Sequence, residues 1–336
     1  MATLPTLNRQ IVFKARPQGL PTPACFELLT SPVPEPTQGQ VLVRNHVLSV
    51  DPYIRMRMEA VDSYAPVMRM GDVLVGRTAG QVVASRASGF REGDWVVGRL
   101  GWQDFSVAQA GELQAIDTTL APASAYLGAL GSTGVTAWVG LMLFGQPKPG
   151  ETVLVSAASG AVGGVVGQLA RHLGCRAVGI AGGEAKCAQV KQAYGFDECV
   201  DYKAANFNEA LRLALPQGVD VYFDNVGGPI LDAVLPLVNL FGRIPLCGLV
   251  SQYNADQPYG VKHLREVFNR RITLRGFVLS DHRDQFEAAN QALLAAYAAG
   301  HLKHRETLTH GLENAPQAFI QMLQGAHFGK QLVQIT

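Results

Sequence analysis

The sequence carries almost no net charge, with 28 lysines and arginines against 27 aspartates and glutamates. A balance of +1 gives no electrostatic reason to expect nucleic acid or an anionic membrane as a partner, so any anion must be met locally. Cysteine is scarce as well. The five residues, Cys25, Cys175, Cys187, Cys199 and Cys247, form no C-x-x-C pair and are odd in number. That argues against a disulfide framework and for reduced thiols in a cytoplasmic setting. The first residues lack the apolar run of a signal peptide. Two uncharged stretches, Leu127 to Gly145 and Thr152 to Ala170, are broken by glycine, and the second contains Ser156, Ser159 and Gln168. Both read as buried segments of a soluble chain rather than membrane spans. No paired carboxylates and no Ser-His-Asp arrangement call for acid-base or acyl chemistry.

What is present is enough for two domains, since 336 residues exceed one average core. Residues 1–122 are rich in short β runs, such as Val41 to Arg44, Gln81 to Ala84 and Trp95 to Gly98, separated by Pro, Gly and Asp turns. From 123 to 299 apolar runs alternate with helical stretches, the pattern of βαβ units on a parallel sheet. Expected strands are Thr152 to Ala157, Arg176 to Ala181, Glu198 to Val200, Val219 to Asn225, Gly242 to Leu246 and Thr273 to Phe277. Expected helices are Val162 to Leu173, Glu184 to Tyr194, Phe207 to Leu215, Pro229 to Leu240 and Arg283 to Ala299. After a His301 to His310 connection come a short helix, Ala315 to Leu323, and a last strand, Lys330 to Ile335, expected to pair with the first domain's sheet. Residues 300–336 thus complete the first domain.

The most informative segment runs Thr152-Val-Leu-Val-Ser-Ala157-Ala-Ser-Gly160-Ala161-Val162-Gly163-Gly164. A buried strand passes through a turn of small residues into a helix, which lets the backbone approach a pyrophosphate and aims the helix N–H groups at it. About 20 residues beyond such glycines, an NAD site carries an acid for the ribose hydroxyl. Here that place reads Gly182-Gly183, and Glu184 sits where a helix dipole favours an acid anyway. Lys186 follows, suited to the 2′-phosphate of NADP.

These segments, with Asp201-Tyr202-Lys203, Asp224-Asn225-Val-Gly-Gly228, Cys247-Gly248-Leu-Val-Ser251-Gln-Tyr253-Asn254 and Asp51-Pro-Tyr53-Ile-Arg55, are spread over nearly the whole chain. Together they resemble the zinc-free medium-chain alkenal, prostaglandin and curcumin reductases. The resemblance implies an α/β protein, with a Rossmann-type doubly wound parallel sheet domain plus a GroES-like β-barrel-type catalytic domain. It implies NADPH, held by Ala157, Gly160, Ala161, Val162, Gly163 and Gly183, with Lys186 and Tyr202 on the 2′-phosphate. Thr136, Asn225, Cys247, Gly248, Ser251, Phe277 and Val278 would lie along the cofactor. Where that family has an asparagine before its C-terminal Gly-Lys, this chain has His327, kept as a contact because histidine still donates a hydrogen bond. The resemblance also implies a homodimer.

Zinc-dependent relatives of this fold need Cys and His ligands and a four-cysteine lobe. The corresponding places read Leu48-Ser49-Val50-Asp51 and Gly76-Arg77-Thr78, so no metal is expected. Without a Lewis acid, reduction of an enone or a quinone, whose conjugation already makes carbon electrophilic, is the natural chemistry, and for an enone hydroxyl donors to the developing enolate become the candidates. Tyr253 follows a sheet strand; Tyr53 follows Asp51-Pro52, which reads as a helix N-cap and first-turn proline. Tyr64 lies among Met56, Met58, Met68 and Met70, a possible adaptable substrate wall or an ordinary core edge. Two alternatives stay open: a quinone reductase of the same fold, and a noncatalytic NADPH-binding protein.

Overall fold

The computed structural model describes residues 5–60, 64 and 66–336. The chain divides into two compact units, Met1–Gly128 with Glu306–Thr336, and Ala129–Arg305.

The first unit is built from β1 (Leu7–Phe13), β2 (Phe26–Pro32), β3 (Gln40–Ser49), the short helix α1 (Tyr53–Arg57), β4 (Thr78–Ser85), β5 (Trp95–Gly98), β6 (Phe105–Gln109) and β7 (Gln114–Ala115). The second contributes α2 (Ser132–Val139), β8 (Thr152–Ser156), α3 (Ala161–His172), β9 (Arg176–Ala181), α4 (Glu184–Tyr194), β10 (Glu198–Asp201), α5 (Phe207–Ala214), β11 (Val219–Phe223) and α6 (Gly228–Val234). It ends with β12 (Val238–Leu246), α7 (Arg265–Asn269), β13 (Thr273–Gly276) and α8 (Phe286–Ala298). The chain then returns to the first unit through β14 (Glu306–His310), α9 (Ala315–Leu323) and β15 (Lys330–Gln334).

In the first unit β1 and β2 form an antiparallel ribbon, and the larger sheet runs β14-β15-β3-β4-β5-β7, with β6 also on β3. The ten residues of β3 serve three neighbours: Gln40 to Arg44 face β6, Val47 to Ser49 face β15, and β4 covers the other edge. The last strand therefore does pair with the first domain's sheet. The core beneath it gathers Ile11, Phe13, Ile54, Trp102 and Phe319. Met58 and Met68 belong to this core, each no more than 2% exposed, while Met70 is exposed. Burial thus gives two of the four methionines to packing rather than to a substrate wall.

The second unit holds a six-stranded, all-parallel sheet in the order β10-β9-β8-β11-β12-β13. This is a doubly wound sheet whose order reverses between β8 and β11, the point where such sheets take ligands. Its central strands β8, β9 and β11 are apolar because both faces are covered, and Val153, Leu154, Val155, Val178, Val221 and Tyr222 are fully buried.

Three expectations need correction. The helix Pro229 to Leu240 stops early, because Pro236 has no N–H to continue it; residues 235–237 tighten into a 3-10 turn and Val238 begins β12. The connection His301 to His310 contains β14, stabilised by parallel pairing to β15 that no local pattern announces. Asp51 does not cap α1 through its side chain, since Pro52 is the cap residue and makes no such bond. Its carboxylate instead takes the Lys330 ammonium at 3.0 Å and the Ser49 hydroxyl at 2.5 Å. Among the described residues no helix is long and apolar enough to cross a membrane.

Candidate functional site

In the second unit β8 delivers the chain to a turn in which Ala157 takes a left-handed φ of 49° before α3 begins at Ala161. Gly160 donates to the Ala157 carbonyl at 2.9 Å, closing the turn. Gly163 is required by close approach, since a Cβ there would lie 2.4 Å from the same carbonyl oxygen. Ala157, Gly160, Ala161 and Val162 stay partly open to solvent. The first-turn N–H groups of α3 have no acceptor within the helix, so the turn presents donors and a positive dipole end without a bulky side chain in front. That fits a pyrophosphate.

One strand further out, Gly183 adopts a φ of 100° at the start of α4, a conformation that strongly favours glycine. Its N–H donates to Asp201 Oδ1 at 2.7 Å, and the Lys203 N–H donates to the same oxygen at 2.9 Å. The acid at the end of β10 is thus engaged with backbone. Tyr202 lies over Gly182, where a Cβ would come within 2.8 Å of its ring. The Lys203 ammonium sits 6.0 Å from the centre of that ring. Burial and the neighbouring Lys203 charge hold the Lys186 ammonium below its ordinary pKa. Two cations and a phenol around a glycine suit a phosphate monoester, whose charge would relieve the repulsion between the lysines. Lys203 was missed by sequence reasoning. The signal was its place directly after Tyr202.

At the switch point the turn after β11 is organised by Asp224, a fully buried residue. Its Oδ1 accepts from the Ser156 hydroxyl, the Tyr222 hydroxyl and the N–H groups of Val226 and Gly227, at 2.8 to 2.9 Å. Burial pushes its carboxyl pKa up against those hydrogen bonds. Asn225 is fixed beside it by its N–H to Ser156 Oγ at 2.9 Å and its carboxamide to the Ser156 carbonyl at 2.8 Å. The loop after β12 docks on the same turn: Cys247 N–H donates to the Asp224 carbonyl, and Ser251 Oγ to the Val226 carbonyl. A Cβ on Gly248 would lie 3.3 Å from the Tyr253 hydroxyl, which places that hydroxyl over Gly248. Burial raises the Tyr253 pKa, with the Leu249 backbone N–H acting the other way and Cys247 adding to the rise. Burial also pushes the Cys247 thiol up to about 12, so it stays protonated and is no nucleophile. Asn225, Cys247, Gly248, Ser251 and Tyr253 therefore meet at one end of the parallel sheet.

Phe277 and Val278 follow β13, and the Phe277 ring lies 5.1 Å from Phe144 and 6.3 Å from Phe223. Thr136, on α2, spends its hydroxyl proton on the Ser132 carbonyl at 2.7 Å and keeps acceptor capacity only. Tyr53, Tyr64 and His327 are carried by the first unit. Tyr53 packs against the core of that unit, and burial, then the Asp51 charge, raise its pKa while Arg99, Arg57 and Arg77 oppose the rise. Tyr64 is 57% exposed, and its neighbours 61–63 and 65 lie outside the described residues. His327 stands in the link between α9 and β15. Among the described residues no group of three or more His, Cys, Asp or Glu side chains is placed to hold a metal ion.

With this geometry in hand, comparison with known proteins is specific. Residues 9–116 match a family model described as the N-terminal domain of oxidoreductase, and residues 161–295 one described as zinc-binding dehydrogenase. The NADPH-dependent curcumin reductase of Escherichia coli (strain K12) is 43% identical over 335 residues, covering 98% of this chain and 97% of that protein. The NADP(+)-dependent 2-alkenal reductase of Nicotiana tabacum is 39% identical over 336 residues and 98% of each chain. Prostaglandin reductase 1 of Sus scrofa is 38% identical over 324 residues, 94% of this chain and 95% of that one. Among solved structures, CurA from Vibrio vulnificus in complex with NADPH superposes with a TM-score of 0.93 at 45% identity, over 98% of this chain and 99% of that one. On identity and coverage together, the chain belongs to the medium-chain dehydrogenase/reductase family, in the group of the curcumin, alkenal and prostaglandin reductases.

Proposed function

We propose that this protein is an NADPH-dependent reductase of the carbon–carbon double bond in α,β-unsaturated aldehydes and ketones. The observation that carries the reading is the Tyr253 hydroxyl, held over Gly248 beside the Asp224–Gly228 turn at the ligand end of the parallel sheet. A raised pKa keeps that group protonated at neutral pH, so it donates rather than accepts charge. When bound, NADPH supplies the hydride for the β-carbon. Tyr253 donates to the oxygen on which negative charge then grows, a contact stronger in the transition state than in the ground state. Tyr53 holds the carbonyl, and Tyr64 lines the substrate.

The cofactor is gripped at its ends and along its length. The N–H groups of the Ala157 to Gly163 turn meet the pyrophosphate, while Lys186, Tyr202 and Lys203 meet the 2′-phosphate beside Gly183. Asn225, Cys247, Gly248, Ser251, Phe277, Val278 and Thr136 lie along the dinucleotide, and His327 is a further cofactor contact in this reading. No zinc takes part in this reading, because the segments where its ligands would stand read Leu48-Ser49-Val50-Asp51 and Gly76-Arg77-Thr78, without Cys or His. The relatives named for curcumin, alkenals and prostaglandins support this substrate class. The test is NADPH oxidation against a panel of enals, enones and quinones. Faster turnover of a small enal than of any quinone is expected. The reverse order would reassign the protein as a quinone reductase, and no turnover at all would leave a binding protein.

A further inference from the structure

One end of the first unit's sheet concentrates positive charge. Thr78 pairs with Gly98 across the antiparallel β4–β5 ladder, so the next residues, Arg77 and Arg99, stand opposite each other where the strands end. On the other side of β4, Ser49 donates its N–H to the Arg77 carbonyl at 2.8 Å, which brings the chain leading to Asp51 and Tyr53 to the same spot. Like charges placed directly across a ladder repel. Arg57, on α1, adds a third guanidinium whose charge reaches the Tyr53 hydroxyl together with those of Arg77 and Arg99. The acid at hand is already occupied. Asp51 is buried with the Lys330 ammonium and the Ser49 hydroxyl. Among the described residues no carboxylate lies within ion-pair distance of Arg57, Arg77 or Arg99. Arg77 Nε, moreover, is buried with no hydrogen-bond partner.

A buried guanidinium N–H without an acceptor is costly and uncommon, and an anion seated beside the three arginines would supply the acceptor. We infer that Arg77 and Arg99, beside Tyr53, form a carboxylate-recognition site, so that the preferred substrates are enones or enals bearing a carboxylate away from the conjugated bond. This rests on the proposed reductase function and specifies its substrate. A planar guanidinium fork matches a carboxylate bidentately, and a second guanidinium opposite it adds charge without another geometric demand. The anion is assigned to the substrate rather than to the cofactor because the proposed pyrophosphate and 2′-phosphate sites each have their own donors on the second unit.

The test compares two substrates with NADPH in the intact enzyme. One is a methyl enone whose β-carbon carries a three-methylene tail ending in a carboxylate; the other is the methyl ester of the same acid. The tail insulates the double bond, so intrinsic reactivity is the same and the kcat/KM ratio reads recognition alone. Wild type should favour the acid about ten- to a hundredfold, the range of one charge-assisted hydrogen-bonded contact. Arg77→Gln should bring the ratio close to one, and Arg99→Gln should lower it. Arg99 is exposed, so its variant tests the idea even if Arg77→Gln fails to fold. Calorimetric binding of the saturated keto acid, which needs no turnover, should weaken in the same order. Equal use of acid and ester by wild type overturns the inference and leaves the reductase reading intact. An increased KM for NADPH in Arg77→Gln, with the substrate ratio unchanged, gives the arginines to the cofactor and also overturns it. If neither enone is reduced, the reductase reading fails, and the keto acid titration alone decides whether the anion site exists.

Discussion

Tyr253 and Lys186 are the residues on which the proposed chemistry can be tested one atom at a time. Tyr253→Phe keeps the ring and removes only the hydroxyl that lies over Gly248. Loss of a preorganised oxyanion donor costs up to about 4 kcal/mol, and a cofactor hydroxyl can share the role, so a loss of about 1–3 kcal/mol in kcat/KM is expected. It should fall mainly on kcat. Single-turnover measurement with deuterated cofactor checks this; an unchanged hydride-transfer rate would reduce Tyr253 to packing. Lys186→Ala removes one of two neighbouring ammonium groups, the other being that of Lys203 over the Tyr202 ring. A charge-assisted phosphate contact is worth roughly 1.5–3 kcal/mol, so KM for NADPH should rise about ten- to a hundredfold with little change for NADH. Lys203→Ala should act in the same direction. Equal use of NADH by wild type would refute this account of the pocket.

At the scale of elements, the β8–α3 turn depends on backbone approach rather than on side-chain chemistry. Gly163 packs against the Ala157 carbonyl so closely that a methyl group would have to displace main chain. Overpacking of this kind costs about 1–3 kcal/mol. Gly163→Ala should therefore lower Tm and weaken NADPH binding together, as read by thermal unfolding with and without cofactor. A variant with wild-type affinity would show that the turn has room to move. The loop after β12 is secured differently, through hydrogen bonds onto the Asp224–Gly228 turn. The sequence pattern around Asp224 marks this segment, but its role as the hub of Ser156, Tyr222 and two backbone amides exists only once β8 and β11 are neighbours.

At the scale of the whole molecule, the exposed edge of the parallel sheet bears on assembly. β13 is an edge strand of the parallel sheet, and all four of its residues are exposed. Beside it lies an apolar groove of about 390 Å³ that includes Leu246, Leu249, Leu264 and Leu274, and Phe268 nearby is 82% exposed. An unprotected strand edge next to exposed apolar side chains is a surface that water covers poorly. We propose that two copies of the chain pair there as a homodimer. Light scattering at micromolar concentration should give twice the chain mass of 36.0 kDa, and Leu274→Glu should shift it toward the monomer. A monomeric wild type would refute the proposal.

What the sequence determined by itself is the part that depends on near neighbours. The helices Glu184–Tyr194 and Ala315–Leu323 have the bounds that periodicity and flanking turns assign them, and the strand-turn-helix at Ala157 to Gly163 was legible because glycine spacing is local backbone geometry. Even there, Pro236 ended a helix that apolar spacing alone carried to Leu240. Tertiary structure decided whatever joins residues far apart in the chain. Lys330 reaches Asp51 across 279 positions and takes it away from α1, β14 exists because β15 lies beside it, and Lys203 joins Lys186 only when β10 sits against β9. The arginine cluster around Tyr53 belongs to the same class. Charge repulsion and an unmet hydrogen bond depend on distance in space, and a linear pattern records distance only along the chain.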